Sequence, residues 1–161
     1  MLRASELPAR SKPSVSGTEM AFWDSSAIVP LCFAQRQTSV LRAMLREHRP
    51  LVVWWGTPVE VAGALHRLSG EGAITSLGLE QALGRLEIVR ASWLEVTPTE
   101  KVRNLAEALL SRYRIRAADA FQLAAALVWC GEKPRNRPFV CFDSRLGEAA
   151  REVGFALPVK V

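Results

Sequence analysis

Four short runs of the chain, MAFW at 20–23, LVVWW at 51–55, SWLEV at 92–96 and RPFVCF at 137–142, are mostly apolar, and longer segments of helical spacing separate them. A strand with one face in water alternates apolar and polar residues, whereas a strand covered on both faces has no need to. Buried strands that take turns with helices leave few architectures. The pattern predicts an α/β fold with a parallel sheet covered on both faces.

The helical segments carry their own signals. SAIVPLCFA reads as a short helix that Pro30 is expected to bend. TSVLRAMLREH sets Val40, Leu41, Met44 and Leu45 at helical spacing. TPVEVAGALHRLSGEG reads as a helix with Thr57 as N-cap and Pro58 at N1, closing near Gly70 and Gly72. Residues 76–90 are helical again, and TPTEKVRNLAEALLSRY begins with a second Thr-Pro start. RAADAFQLAAALVW, 116–129, is a nearly unbroken apolar helix ending at Gly131, with one carboxylate, Asp119, just inside its start. SRLGEAAREVG is a last helix, and ALPVKV, 156–161, is a candidate fifth strand.

A chain of 161 residues, 49% hydrophobic and 23% charged, has the size and composition of one folded domain. Residues 1–19, MLRASELPARSKPSVSGTE, mix Ser, Pro and charge without a sustained period. They read as a flexible N-terminal extension ahead of a domain at 20–161, with Met20 as an alternative start. The net charge of +5 favours an anionic partner such as nucleic acid without demonstrating one. Cys32, Cys130 and Cys141 are odd in number and lack metal-ligand spacing, so they read as reduced core residues. No apolar window approaches the roughly 18 residues of a membrane span, and no signal-peptide pattern is present. A cytoplasmic protein with no membrane partner is the expectation.

Two strands lead directly to an aspartate, MAFW to Asp24 and FVCF to Asp143. In a parallel sheet the strand C-termini share one edge, and the helices that follow begin there. Glu60 and Asp119 each lie in the first turn of a helix, so all four carboxylates can face one crevice. Each also has an ordinary structural reading: Asp24 and Asp143 as N-caps, Glu60 in the capping-box pattern TPVE, Asp119 as an acid favoured by the helix dipole. Jointly they are harder to explain. Two carboxylates about 5 Å apart repel by roughly 3 kcal/mol at an effective dielectric near 20, so a shared cleft needs a counter-charge or bound protons. Oxygen ligands without a Cys or His cluster suit Mg²⁺ or Mn²⁺ rather than zinc. A cation so held, on a basic domain, points to hydrolysis of a phosphodiester.

The ordered set FWDSSA, TPVEVAGAL, RAADAFQLAAAL and FVCFDSRLGEAA resembles the PIN-domain ribonucleases, and most closely the VapC-like toxins of type II toxin–antitoxin systems. The resemblance spans residues 20–161, and RAADAFQLAAAL is its most specific part. It implies a Rossmann-like three-layer α/β/α sandwich and an endoribonuclease whose Mg²⁺ or Mn²⁺ is held by Asp24, Glu60, Asp119 and Asp143. It further implies that Ser26 assists the site, that an antitoxin protein covers the crevice, and that the chain forms a homodimer. Ser144 receives no firm role, and the extension at 1–19 has no counterpart in the family pattern.

Basic residues in SRYRIR and KPRNRP supply candidate RNA contacts: Arg116, just ahead of Asp119, and Lys133, Arg135 and Arg137, in the loop before the fourth strand. Solvated surface charge is the competing reading. One ring of Trp54 or Trp55 is placed to stack on a base, although core packing is the simpler use. His48 and His66 lack the partners of a general base. Three rivals stand beside the toxin reading: a PIN-like module that binds without cutting, an RNA-processing nuclease outside any toxin–antitoxin pair, and a phosphatase. The complete carboxylate set opposes the first, and DSS in place of DxD after the first strand opposes the last.

Overall fold

The computed structural model describes residues 19–159. The proposed extension therefore lies outside the described residues except for Glu19. Four strands form one sheet: β1 (Ala21–Trp23), β2 (Leu51–Trp54), β3 (Leu94–Val96) and β4 (Phe139–Val140). All pairings are parallel and the order is β3-β2-β1-β4. Seven helices connect them: α1 (Ser25–Cys32), α2 (Thr38–Glu47), α3 (Thr57–Gly70), α4 (Ser76–Arg90), α5 (Glu100–Arg112), α6 (Ala117–Trp129) and α7 (Ser144–Val153). No helix among the described residues is long and apolar enough to cross a membrane.

The period of two along each strand divides the core in two. Ala21, Trp23, Leu51, Val53 and Val140 face a layer built by α1 to α4. Phe22, Val52, Trp54 and Phe139 face α5, α6 and α7. The result is a three-layer α/β/α sandwich, as the strand pattern requires. The alanines of α6, fully buried from Ala124 to Ala126, let that helix sit close on the sheet. Phe121 from the same helix stacks on Trp54 with ring centroids 5.6 Å apart.

Several boundaries differ from the sequence expectation, each for a local reason. β4 is only two residues long, because past Val140 the backbone N–H groups turn to side chains: Phe142 N–H donates to Ser26 Oγ and Asp143 N–H to Cys141 Sγ. β3 lies at the sheet edge and is partly exposed, so it needs less apolar sequence than a central strand. The fifth strand reduces to one parallel bridge between Pro138 and Ala156, with Pro158 unable to donate and residues 160–161 outside the described range. Gly56 rather than Thr57 precedes α3, and Thr99 rather than Thr97 caps α5, accepting from Val102 N–H at 3.3 Å.

The order β3-β2-β1-β4 sets the site. From β1 the chain steps outward through β2 to β3, then crosses back to place β4 on the other side of β1. Reversal of direction opens a crevice beyond the C-terminal ends of β1 and β4. Since α6 forms the rigid wall of that crevice, replacing its fully buried Leu123 by alanine is expected to cost about 2–5 kcal/mol of stability. Urea unfolding measures this loss.

Candidate active site

Asp24 and Asp143 stand where the chain leaves β1 and β4, and both act as N-caps. Asp24 Oδ2 accepts from Ser26 N–H at 3.0 Å, and Asp143 Oδ1 from Leu146 N–H at 2.9 Å. Asp119 Oδ2 accepts the backbone N–H of Arg116 at 3.2 Å, closing the first turn of α6. Glu60 does not form the capping box that TPVE suggests. Because α3 starts at Thr57, its carboxylate is free to point inward, where Oε2 accepts from Ser25 Oγ at 2.9 Å and Gln122 Nε2 at 3.2 Å. All four carboxylates, with Ser25, Ser26, Arg67 and Arg116, line one open cleft of about 490 Å³. At roughly 30 Å³ per water, that volume accommodates a hydrated cation beside a phosphodiester.

The structural and chemical readings of these residues therefore coexist. In each carboxylate one oxygen is committed to a hydrogen bond and the other makes none among the described residues. Burial pushes the Asp24 carboxyl up to about 6 from 3.8, the Ser26 hydrogen bonds oppose that rise, and the charges of Glu60 and Asp119 add to it. Glu60 is likewise raised, chiefly by burial. Arg116 is the nearby compensation: its Nε lies 3.4 Å from Asp119 Oδ2 and its Nη2 3.8 Å from Asp143 Oδ2. The guanidinium is 77% exposed, so solvent screens most of its effect.

This donor set fits a hard divalent cation. It consists of carboxylate oxygens with few donors opposite them, and a cationic group already bridges Asp119 and Asp143. As the side chains stand, no three His, Cys, Asp or Glu among the described residues converge as a ready-made metal centre. Coordination by three or more of these groups would require side-chain adjustment.

Ser26 ties the two strand ends together, its hydroxyl accepting from Phe142 N–H at 2.9 Å. Beneath it, Cys141 is buried, its Sγ 3.7 Å from Asp24 Oδ2, and burial followed by that negative charge pushes its thiol far above the ordinary range. Ser144 is exposed beside Arg116, Asp119, Asp143 and Arg145. Of the proposed RNA contacts, Arg116 lies in the cleft. Lys133, Arg135 and Arg137 do not line it. They precede β4, so the strand carries the chain away from them toward the opposite sheet edge, and Arg137 instead lies over the Trp129 ring at 5.8 Å. Trp54 is core, whereas Trp55 is 53% exposed just past the end of β2.

Three cleft residues escaped the sequence reading: Ser25, Arg67 and, behind Glu60, Gln122. The signal for Gln122 was present, since it is an amide inside an apolar helix three residues after Asp119 and hence on the same face.

No protein-family model and no curated protein matches this sequence. Solved structures do match its fold. A structure described as a toxin–antitoxin complex from Klebsiella pneumoniae is similar at a TM-score of 0.57 and 14% identity, covering 78% of this chain and 88% of the other. The structure of FitAcB from Neisseria gonorrhoeae is similar at a TM-score of 0.60 and 17% identity, covering 85% and 97%. At such identities the likeness concerns the fold, a PIN-like α/β/α sandwich with a central parallel sheet.

The raised Asp24 carboxyl has a consequence for stability. A proton is bound more tightly in the fold than in the unfolded chain, so this group's contribution is full below about pH 3.8 and is lost as the pH rises through about 6. At roughly 1.4 kcal/mol per tenfold change in proton affinity, the loss for this buried group is on the order of 3 kcal/mol. Asp24→Asn, which retains an acceptor for Ser26 N–H, is expected to stabilise the metal-free protein by about 1–3 kcal/mol near neutral pH. Its effect is expected to vanish at acid pH. Urea unfolding with chelator present, at both pH values, measures the difference; an equal effect at both would remove the charge as its cause.

Proposed function

We propose that the protein is a divalent-metal-dependent endoribonuclease and the toxin component of a toxin–antitoxin pair. The observation that carries this reading is the meeting of Asp24, Glu60, Asp119 and Asp143, from four separate segments, along one cleft at the switch point of a parallel sheet. The net charge of +5 agrees with a polyanionic substrate, as does a cleft that holds Arg67 and Arg116 beside the acids.

Asp24, Glu60, Asp119 and Asp143 would hold Mg²⁺ or Mn²⁺, which when bound would acidify water and neutralise charge at the phosphodiester. The rest falls to the chain. Asp24 and Asp143 are fixed by their own helix N-termini, which limits how far either moves when charge enters the cleft. Asp119 is carried on a helix whose other side is locked into the core. Arg116 stands at the mouth of the cleft, where exchanging a carboxylate for a phosphate oxygen keeps its guanidinium paired. The match to a structure described as a toxin–antitoxin complex supports an antitoxin partner, while the covering of this cleft by that partner and a homodimeric assembly rest on the sequence resemblance alone.

RNA cleavage is expected to require Mg²⁺ or Mn²⁺ and to stop with EDTA. Asp119→Asn retains an acceptor for Arg116 N–H and is expected to lower the rate by more than about 100-fold, the upper end of what outer-shell substitutions cost. A cleavage assay on single-stranded RNA, with circular dichroism to verify folding, makes the measurement. Activity indifferent to the chelator or to this substitution would sink the mechanism. Co-expression with the product of a small neighbouring gene tests the pairing: inhibition supports a toxin, and full activity favours an RNA-processing role.

A further inference from the structure

Gln122 is a fully buried polar side chain in an otherwise apolar stretch of α6. Its Nε2 donates to Glu60 Oε2 and to Thr57 Oγ1, each at 3.2 Å. Ser25 Oγ donates to the same Glu60 oxygen at 2.9 Å, from the first residue of α1. The other end of the amide, Oε1, is buried with no hydrogen-bond partner among the described residues. Only the NH₂ end of an amide can donate to a carboxylate, so holding Glu60 obliges Oε1 to face the core. An unpaired buried acceptor destabilises a fold, and an apolar side chain of similar shape would serve packing better. The amide is therefore poorly explained by stability and well explained by its grip on Glu60.

Resting on the reading of Glu60 as a cation ligand, we infer that Gln122 and Ser25 are positioning residues that hold Glu60 by Oε2 and thereby present Oε1 to the cation. Two donors on one oxygen fix the carboxylate's rotation, which a metal ligand needs. Gln122 also links two walls of the cleft, since α6 carries Asp119 one turn before it and α3 carries Glu60.

The test is Mn²⁺ affinity of the full chain by isothermal titration calorimetry, with thermal unfolding of the metal-free protein alongside. Gln122→Met is expected to weaken Mn²⁺ binding by about 10- to 100-fold while the midpoint of metal-free unfolding stays the same or rises. A residue serving only the core would give the reverse pattern, with lowered stability and unchanged affinity. In a Glu60→Gln background neither Gln122→Met nor Ser25→Ala is expected to weaken binding further, because both act through Glu60. Ser25→Ala, which leaves the core intact, carries the same expectation should Gln122→Met not fold. Wild-type affinity in the single variants, or an undiminished loss in the Glu60→Gln background, overturns the inference. Wild-type protein that binds no Mn²⁺ overturns the functional reading as well, a result distinct from wild type and variants binding alike.

Discussion

β1 has to satisfy a parallel neighbour on each side while both of its faces are covered, and it does so with three residues. Ala21, Phe22 and Trp23 are completely buried between β2 and β4. No polar side chain fits until the chain leaves the sheet, and the first to do so is Asp24. The two neighbours of β1 belong to parts of the chain that advance in opposite directions across the sheet, so the connecting helices diverge at this point and leave a crevice. Asp143 reaches it from β4, and α3 and α6 deliver Glu60 and Asp119 from the two helical layers.

The gathered charges oppose the stability of the fold that gathers them. Asp24 is 3% exposed and carries its charge at a cost that grows with pH, and the exposed Arg116 offsets little of it. Gln122 leaves an acceptor unpaired to hold Glu60. A core selected for stability alone would contain neither group. Strain of this kind collects at functional sites, and the divalent cation proposed above would relieve both the repulsion and the need for protons.

The element order and the layering were legible because they rest on period and on local punctuation: apolar runs, Thr-Pro starts, the glycine after α6. Asp24 and Asp143 were legible for the same reason, since a carboxylate directly after a buried strand stands at a strand-to-helix turn. Glu60 was ambiguous, because TPVE is a capping box unless the helix starts one residue early, as it does here. Lys133, Arg135 and Arg137 look close to Asp143 along the chain, yet β4 lies between them and carries the chain to the other edge of the sheet.

From the sequence alone come the α/β class, the parallel sheet and four acids able to share one edge, because these depend on spacing within a segment and on the rule that parallel strands end together. Only the tertiary structure decided which groups hold those acids in place. Ser25 lies 35 residues from Glu60 and Gln122 lies 62 away, and their meeting is set by how α1, α3 and α6 pack. Hydrogen bonds of that range leave no periodic trace in a sequence, since their geometry belongs to the packing of whole helices rather than to any one of them.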